Sequence, residues 1–371
     1  MNILILSCNT GEGHNSAAKA IAEQFMCDGH DCVIKDALAF ASPKFSKFIC
    51  DSYKQIVLRT PYAFGAMYKI SKAVANPNMK SLVYASSMVC AKKMYDFISS
   101  YKFDAVVSTH LFAAQAMTHI KNRYKLSLPS YIVSTDYGFC PFFEELDVER
   151  YFIPMEMLRS DFLRRGVSSD KIVVSGIPVA KRFMQLMDKA QARERLGVSM
   201  DCHMCIIMSG SMGYGDIYNM LDGVVANMPQ NTRIFVLAGN NDKLLNGVNN
   251  RYSSSVVRAI GFTNEVNVYM AAADVLVTKP GGLTSTEAMV SNVPLVLAKP
   301  IPGCESENYL LLTGIGAAKG GKKAADAAEN ICLLLSNENE RRKVIDRQNE
   351  YICKRSAEII CDTIARIDKD A

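Results

Sequence analysis

Short apolar runs alternate with longer amphipathic runs along almost the whole chain. Short runs rich in valine, leucine and isoleucine are typical of buried strands, and longer runs with apolar residues three and four positions apart are typical of helices. A regular alternation of the two predicts parallel sheets with crossover helices. The fold class is therefore expected to be α/β, with ligand sites in the loops that follow the carboxyl ends of strands.

We predict two domains of this kind, followed by a terminal helix. Strands are expected near residues 2–7, 32–36, 105–108, 130–134, 150–153 and 171–175, and again near 205–209, 232–237, 256–260, 275–278 and 294–298. The turn Gly176–Val179 precedes a charged helical stretch, which divides the chain into domains 1–178 and 179–345. The last helical stretch, about 337–367, is long enough for residues 346–371 to pack back on the first domain.

The composition fits a globular protein of this size. With 371 residues, 49% of them hydrophobic, the chain can form two cores. No run approaches the roughly 18 apolar residues of a membrane-spanning helix, and the start of the chain reads as a strand rather than as a signal peptide. Twelve irregularly spaced cysteines indicate reduced thiols and a cytoplasmic location. Cys202 and Cys205 have the spacing of half a zinc site, but no second pair completes it, so no metal is expected there.

Positive charge is concentrated between Ala41 and Lys102. This segment has only Asp51 and Asp96 as acidic residues. Its basic residues are Lys44, Lys47, Lys54, Arg59, Lys69, Lys72, Lys80, Lys92, Lys93 and Lys102. Because the chain lacks the usual nucleic-acid motifs, nucleic acid is not the expected partner.

The same segment contains an amphipathic helical pattern. Its apolar residues at three- and four-residue spacing are Phe45, Phe48, Ile49, Tyr53, Ile56 and Val57. Aromatic residues on one face and lysines on the other suit an anionic membrane surface. The alternative is a helix that faces the core with a solvated rim, and both descriptions can apply to neighbouring helices.

A strand, a glycine turn and a helix follow one another between Asp274 and Glu287. The turn Pro280–Gly282 opens a helix whose first turn contains Thr284 and Ser285. Unpaired backbone N–H groups and the positive end of the helix dipole make such a start an anion site. A carboxylate one turn further, Glu287, is suited to a ribose diol. The next strand is expected to lead into a loop carrying side chains for sugar hydroxyls, namely Glu305, Glu307 and Asn308.

The segment from Thr278 to Asn308 resembles the donor-binding signature of the lipid glycosyltransferase family. That family contains monogalactosyldiacylglycerol synthase, processive diacylglycerol β-glucosyltransferase and the peptidoglycan N-acetylglucosaminyltransferase. The resemblance implies a family 28-like GT-B fold, with two Rossmann-like domains facing a cleft and a UDP-sugar as donor. Cys304 stands where the family usually has glutamine. The donor-binding residues implied by the resemblance are Gly13, Ser211, Gly213, Phe262, Lys279, Gly282, Leu283, Thr284, Ser285, Glu287, Glu305, Glu307 and Asn308.

The loop after the first strand is similar to the Gly-Gly-Gly-His turn of that family. The histidine of the family turn is proposed to deprotonate the acceptor hydroxyl, which implies His14 as the base. A helix start disfavours imidazolium, so His14 is expected to be neutral near pH 7. The alternative is that His14 only packs or caps the turn. Glu12 replaces a family glycine, and its side chain is expected to point away from a diphosphate.

Three further loops carry candidate residues. Asp136, in a Thr-Asp-aromatic triplet like that of the family, is expected to orient His14 or the acceptor hydroxyl. Its alternative role is to cap the following turn. Cys140 and Phe143 stand where the family has histidine and tryptophan. For His110 a structural role is favoured over a catalytic one, and for Phe262 core packing is as well supported as a role in uracil binding.

The resemblance implies an inverting transfer of glucose or galactose from a UDP-sugar to diacylglycerol, giving a β-glycolipid. The enzyme is expected on the inner face of the cell membrane as a peripheral protein. No cofactor or divalent metal is expected, and Lys279 would help to neutralise the leaving diphosphate. The alternatives are a transferase acting on a polyprenyl-diphosphate acceptor and a UDP-sugar epimerase of the same fold.

Overall fold

The computed structural model describes residues 1–74, 81–208 and 216–370. The chain separates into two compact units, one formed by Met1–Ala180 with Cys353–Ala371 and the other by Lys181–Ile352. Each unit contains one six-stranded sheet in which every strand pair is parallel. The sequence placed residues 346–352 with the terminal segment, whereas the structure places them in the second unit.

The sheet of the first unit has the strand order β2-β1-β3-β4-β5-β6. Its strands are β1 (Asn2–Ser7), β2 (Asp31–Asp36), β3 (Ala105–Ser108), β4 (Ser130–Val133), β5 (Arg150–Ile153) and β6 (Ile172–Val174). Its helices are α1 (Glu12–Cys27), α2 (Pro43–Arg59), α3 (Pro61–Val74), α4 (Leu82–Ser100), α5 (Leu111–Tyr124) and α6 (Arg159–Arg164), and after the second unit α15 (Ser356–Asp370).

Alternate residues of β1 face two different cores, as the period of a strand requires. Leu4 and Leu6 pack in a cluster with residues of α4 and α5. Ile3 and Ile5 pack in a second cluster, together with Phe25 of α1. Three residues of α15 complete this second core, Ile360, Cys361 and Ile364. The terminal helix thus covers the sheet of the first unit.

The sheet of the second unit has the strand order β12-β11-β10-β7-β8-β9. Its strands are β7 (His203–Met208), β8 (Thr232–Gly239), β9 (Val257–Gly261), β10 (Val275–Thr278), β11 (Leu295–Ala298) and β12 (Lys319–Gly321). Its helices are α7 (Lys189–Leu196), α8 (Ile217–Asn227), α9 (Asp242–Arg251), α10 (Val266–Ala272), α11 (Gly282–Val290), α12 (Cys304–Gly314), α13 (Ala324–Ser336) and α14 (Glu338–Tyr351).

Two predictions about this half of the chain were wrong. The predicted helix 337–367 is two helices, α14 and α15, which are separated at residues 352–355. There the chain passes Gly176, where an added Cβ would lie 2.8 Å from the Cβ of Cys353. Strand β12 was not predicted, because its Lys-Gly-Gly sequence has no apolar run. Gly321 is required in it, since an added Cβ would lie 2.5 Å from the Cα of Ala327.

A buried arginine fixes the amino-terminal edge of the second sheet. Arg193 is 2% exposed and donates to Asp274 over 2.8 Å as well as to nearby backbone carbonyls. Asp274 also accepts from the backbone N–H of Met204 over 2.8 Å and from Lys189 over 2.6 Å. Burial alone would raise the pKa of Asp274, but these partners outweigh it and lower the pKa. The charged groups of this cluster are therefore paired with each other, at an edge far from the loops predicted to bind ligands.

Candidate active site

His14 lies in the first turn of α1, at the carboxyl edge of the first sheet. Its Nδ1 is 2.8 Å from the carbonyl oxygen of Thr109 and 3.0 Å from the hydroxyl of Thr135. A carbonyl oxygen can only accept, so Nδ1 carries the hydrogen. The neutral ring then has its lone pair on Nε2. This is the arrangement that a general base needs.

The surroundings of His14 keep it neutral. Protein packs closely around the imidazole although the residue is half-buried by surface area, and this loss of solvation lowers the pKa of His14 from its ordinary value of 6.5. The negative charge of Asp136 and the hydrogen bond to Thr109 act in the opposite direction. Asp136 therefore acts on His14 through its charge, while the hydrogen bonds that orient the ring come from Thr109 and Thr135.

The helix start around His14 is open. Gly11 is the N-cap residue of α1 and provides no side-chain hydrogen bond, and an added Cβ there would meet no atom within 4 Å. Glu12 is exposed, and Gly13 is half-buried. His110 stands directly beside His14, with ring centroids 4.6 Å apart and ring planes at 79°.

At the carboxyl edge of the second sheet, two helices begin at glycine. The N-cap residues are Gly281 for α11 and Gly303 for α12, and neither helix has a side-chain cap. Gly303 has a φ of 128°, a conformation that favours glycine. At Gly281 an added Cβ would meet no atom within 4 Å, so the start of α11 borders open space. An uncapped helix start of this kind can bind an anion, and the anion site stays a prediction.

The predicted sugar-binding residues belong to a helix, so the predicted loop was wrong. Glu305, Glu307 and Asn308 lie in the first turns of α12. Glu305 pairs with Lys279 and accepts from the backbone N–H of Ile301 over 3.0 Å. The fully buried Asn308 donates to the carbonyl of Pro280 over 2.9 Å. These contacts connect the loop after β10 to the start of α12. Some of the polar groups that were expected to bind sugar therefore make hydrogen bonds and an ion pair within the protein instead.

Three polar side chains in the first two turns of α11 are candidates for ligand binding. Burial raises the pKa of Glu287 to about 7, and the charge of Arg182 only partly opposes this shift. Ser285 is fully buried, and its hydroxyl has no hydrogen-bond partner within the described part of the chain. Thr284 is half-buried in the same turn. A carboxyl group that titrates near neutral pH and an unsatisfied hydroxyl are typical of a ligand site.

Comparison with known proteins bears on the whole chain. Residues 14–179 match the family model of monogalactosyldiacylglycerol (MGDG) synthase, and residues 206–351 match the model of glycosyl transferases group 1. The chain is 26% identical over 368 residues to the processive diacylglycerol beta-glucosyltransferase of Bacillus cytotoxicus, which covers 98% of this chain and 92% of that protein. The corresponding Bacillus licheniformis protein is 24% identical, with 98% and 94% covered.

These matches support the predicted lipid glycosyltransferase family, with the MGDG synthase model over the first part of the chain and the group 1 model over the second. The predicted family, the enzyme class and the fold class are confirmed by these matches and by the solved structures that the chain resembles. MurG of Acinetobacter baumannii has a TM-score of 0.63 at 14% identity, with 98% of this chain and 99% of that chain covered. UDP-GlcNAc 2-epimerase of Neisseria meningitidis, bound to UDP-GlcNAc, has a TM-score of 0.65 at 14% identity, with 99% and 100% covered. This glycosyltransferase has the GT-B fold.

Several predicted donor residues of the glycosyltransferase remain predictions. Ser211 and Gly213 lie outside the described residues. Gly282 and Leu283 are buried in the first turn of α11. Phe262 follows β9 and is 68% exposed, so the core-packing alternative was wrong for it.

The sequence did not identify three lysines of this edge. A cavity of about 460 Å³ opens at the ends of β7, β10, β11 and β12, and besides Lys279 its lining includes Lys299, Lys322 and Lys323. Lys322 also lies over the ring of Tyr309, with Nζ 4.8 Å from the centroid. Lys299 follows β11, and this position after a predicted strand was the signal available in the sequence. Lys322 and Lys323 follow β12, which the sequence did not predict, so no such signal pointed to them.

The apolar residues predicted for α2 do not form one face. Phe45 and Ile49 pack against the core, and Val57 is buried. Phe48 is 66% exposed and Ile56 is 44% exposed. The core-facing description therefore applies to Phe45, Ile49 and Val57, whereas the membrane-facing one stays a prediction for the exposed Phe48 and Ile56. Further exposed apolar side chains of the same region are Tyr62, Met67 and Ile70 on α3, and Met88 and Val89 on α4.

The described part of the chain offers neither a metal centre nor a membrane span. There, His, Cys, Asp and Glu side chains form no group of three or more suited to a metal ion. Cys202 and Cys205 are both buried, and burial raises the pKa of each thiol. Among the described helices, none combines the length and the apolar character needed to span a bilayer.

Proposed function

We propose that this enzyme transfers a hexose from a UDP-sugar to the hydroxyl of diacylglycerol, with inversion, and so makes a β-glycolipid. The single observation that carries the proposal is the geometry of His14. Its Nδ1 donates to the carbonyl of Thr109, so its Nε2 has a free lone pair for the acceptor proton.

The proposed reaction is one displacement. The acceptor oxygen attacks the anomeric carbon of the donor while its proton moves to Nε2 of His14. The bond between that carbon and the β-phosphate oxygen breaks, and UDP leaves with the bonding electron pair. Attack from the side opposite to UDP inverts the anomeric centre. We assign to Asp136 the stabilisation of the imidazolium that forms, because its charge already acts on His14.

The second unit suits an anionic donor. The open start of α11 offers backbone N–H groups, and the cavity nearby has four lysines in its lining. Together they can stabilise the charge of the leaving diphosphate, so we propose that no divalent metal or other cofactor takes part. Glu287 is assigned to the ribose, and the exposed ring of Phe262 to the base. A role for Gly13 in donor binding stays part of the proposal.

The acceptor side is the region from α2 to α4. Its exposed apolar residues stand among the lysines of the segment from Ala41 to Lys102, which suits an anionic membrane surface. The relatives named diacylglycerol beta-glucosyltransferases support diacylglycerol as the acceptor and favour glucose over galactose. We propose a peripheral association with the inner face of the cell membrane.

Product analysis tests the activity. The purified protein is incubated with diacylglycerol liposomes and, separately, with UDP-glucose, UDP-galactose and UDP-GlcNAc, with and without EDTA. We expect a β-linked hexosyl-diacylglycerol whose formation is unchanged by EDTA. Glycosylation of a polyprenyl-diphosphate lipid instead, or epimerisation of UDP-GlcNAc without any lipid product, would contradict the proposal. Both alternatives matter, because MurG and a UDP-GlcNAc 2-epimerase share the fold.

Vesicle co-sedimentation tests the membrane surface. Phe48→Ser and Ile70→Ser remove exposed apolar side chains of α2 and α3, and we expect each to weaken binding to anionic vesicles several-fold. Leu310→Ser is the matched control, because Leu310 is 62% exposed but lies in the second unit. Equal binding by all three variants would exclude this surface.

A further inference from the structure

A second histidine borders the proposed base. His110 is the N-cap residue of α5, and its ring meets the ring of His14 edge to face at a centroid distance of 4.6 Å. The pair brings together residues that are far apart in the sequence. Two imidazoles in contact can share a proton, or each ring can keep one protonation state. The hydrogen bonds of His110 distinguish these cases.

The hydrogen bonds of His110 fix its tautomer. Its Nδ1 is 3.1 Å from the backbone nitrogen of Phe112. An amide N–H can only donate, so Nδ1 is unprotonated. The hydrogen of the neutral ring is then on Nε2, which is 3.2 Å from the hydroxyl of Thr10 and donates to it. A second proton on His110 would oppose the N–H of Phe112, so this ring is poorly suited to receive a proton from His14.

The residues around His110 hold His14 from two sides. Thr109 accepts from Nδ1 of His14, and its own hydroxyl donates to the backbone carbonyl of His14 over 3.1 Å. On the other side, Thr10 belongs to the turn that leads into His14 and is held by Nε2 of His110. The ring of His110 therefore connects the start of α5 with the turn before α1.

We propose that His110 is a positioning residue, which keeps His14 neutral and leaves Nε2 of His14 free to take the acceptor proton. It does so by excluding water from one side of the His14 ring and by fixing the turns that carry Thr10 and Thr109. His110 itself does not exchange protons during turnover. This inference rests on the proposed role of His14 as the base.

The electrostatic surroundings agree with this division of roles. Burial and the neighbouring His14 hold the pKa of His110 well below its ordinary value. The charged group that faces His14 from the β4 loop is Asp136, which favours protonation of His14. Contact with His110 opposes Asp136 by limiting the solvation of an imidazolium.

Two variants separate ring packing from helix capping. In His110→Asn the amide oxygen can still accept from Phe112 and cap α5, but water reaches His14. We expect the pKa of His14 to rise by about one unit. His110→Phe keeps an aromatic ring beside His14 but loses the cap and the bond to Thr10. We expect a lower melting temperature and a pKa of His14 close to that of the unmodified enzyme.

Histidine NMR of the free protein measures these states without any substrate. The chain has five histidines, so their ¹⁵N signals can be assigned by single substitutions. His203→Asn, at the start of β7 in the second unit, is the matched control. We expect His110 to stay in the Nε2–H form from pH 5 to 8 and His14 to have its hydrogen on Nδ1. The acid limb of kcat/KM for a short-chain diacylglycerol should move with the pKa of His14.

An unchanged pKa of His14 in His110→Asn, or a proton gained by His110 in this pH range, would overturn the inference. So would an acid limb that moves equally in His203→Asn. Failure of the proposed function would give a different result. His14→Ala would then retain sugar transfer, whatever the NMR titration gives.

Discussion

The carboxyl edges of the two sheets have similar backbones but opposite chemistry. At the edge of the first sheet, His14 and His110 are neutral and are held by hydroxyl, carbonyl and backbone N–H groups. At the edge of the second sheet, lysines and carboxylates surround helices that begin at glycine. The difference teaches that a parallel sheet positions loops at its carboxyl edge, whereas the charge and solvation of a few side chains determine the chemistry of that edge.

Each edge meets a different physical requirement. A base of the kind proposed for His14 has to stay unprotonated near pH 7, and burial at the first edge lowers the pKa of His14. A diphosphate carries negative charge and is stabilised by cations and unpaired N–H groups, which the second edge provides. Exchanging the two environments would disable both functions. Variants at either edge test this contrast.

His14→Ala removes the base from the first edge. We expect kcat to fall by about a hundredfold or more, because the acceptor hydroxyl loses its proton acceptor. UDP affinity, measured by calorimetry, should remain within about twofold, since donor binding is assigned to the second edge. Retained turnover would falsify the assignment of His14, and a large loss of UDP affinity would contradict the division between the edges.

Lys279→Met removes a cation from the second edge and leaves Glu305, which is largely buried, without its ion pair. We expect KM for the donor to rise by about tenfold, because the remaining carboxylate repels the diphosphate. Steady-state kinetics with varied UDP-sugar give the measurement. Lys343→Met is the control, since the ion pair of Lys343 with Glu340 is exposed on the lysine side and such pairs contribute little. Similar changes in both variants would show a general charge effect.

Glu287 should make donor binding depend on pH. Its raised pKa of about 7 means that the group is mostly protonated at pH 6 and mostly ionised at pH 8. The ionised form accepts stronger hydrogen bonds from a ribose diol, so we expect UDP to bind about three- to tenfold more tightly at pH 8. Calorimetric titration of UDP at both pH values checks this, and Glu287→Gln should remove the difference.

The same shift has a consequence for stability. The folded-state pKa of Glu287 lies above its unfolded value, so the folded protein binds this proton more tightly. Its contribution to stability is therefore lost as pH rises from about 4.5 to about 7. Glu287→Gln should raise the melting temperature more at pH 8 than at pH 5. A larger gain at pH 5 would contradict the sign of the shift.

The lysines that line the cavity should have the smallest effects. Lys322→Gln and Lys323→Gln each remove one exposed charge near the donor edge. Because exposed charges are well screened, we expect each to raise KM for the donor by about two- to threefold, and less at high salt. A change in kcat with an unchanged KM would place these lysines outside donor binding.

Most of the fold could be predicted from the sequence because apolar runs mark buried strands. The six strands of the first sheet were placed within one residue of their observed ends. Strand β12 could not be found, because it has no apolar residue and is defined by pairing with β11. The break between α14 and α15 was missed because residues 352–355 contain neither glycine nor proline.

The candidate site was predictable where side chains follow strands, and less so where partners are backbone atoms. His14 and the Thr135 loop were identified from their positions after β1 and β4. The carbonyl of Thr109, which orients His14, is 95 residues away in the sequence, and any residue type can supply a carbonyl. The sequence did not predict that Glu305 and Asn308 lie in a helix, because Pro302 and Gly303 just before them are typical of a loop.

The absence of a side chain at Gly321 determines where two charged residues stand. The backbone of α13 comes so close at this position that an added Cβ would lie 2.5 Å from the Cα of Ala327. Even alanine would push the helix away and carry Lys322 and Lys323 with it. The two lysines can therefore be varied without disturbing this close approach, whereas the residue before them has to stay glycine.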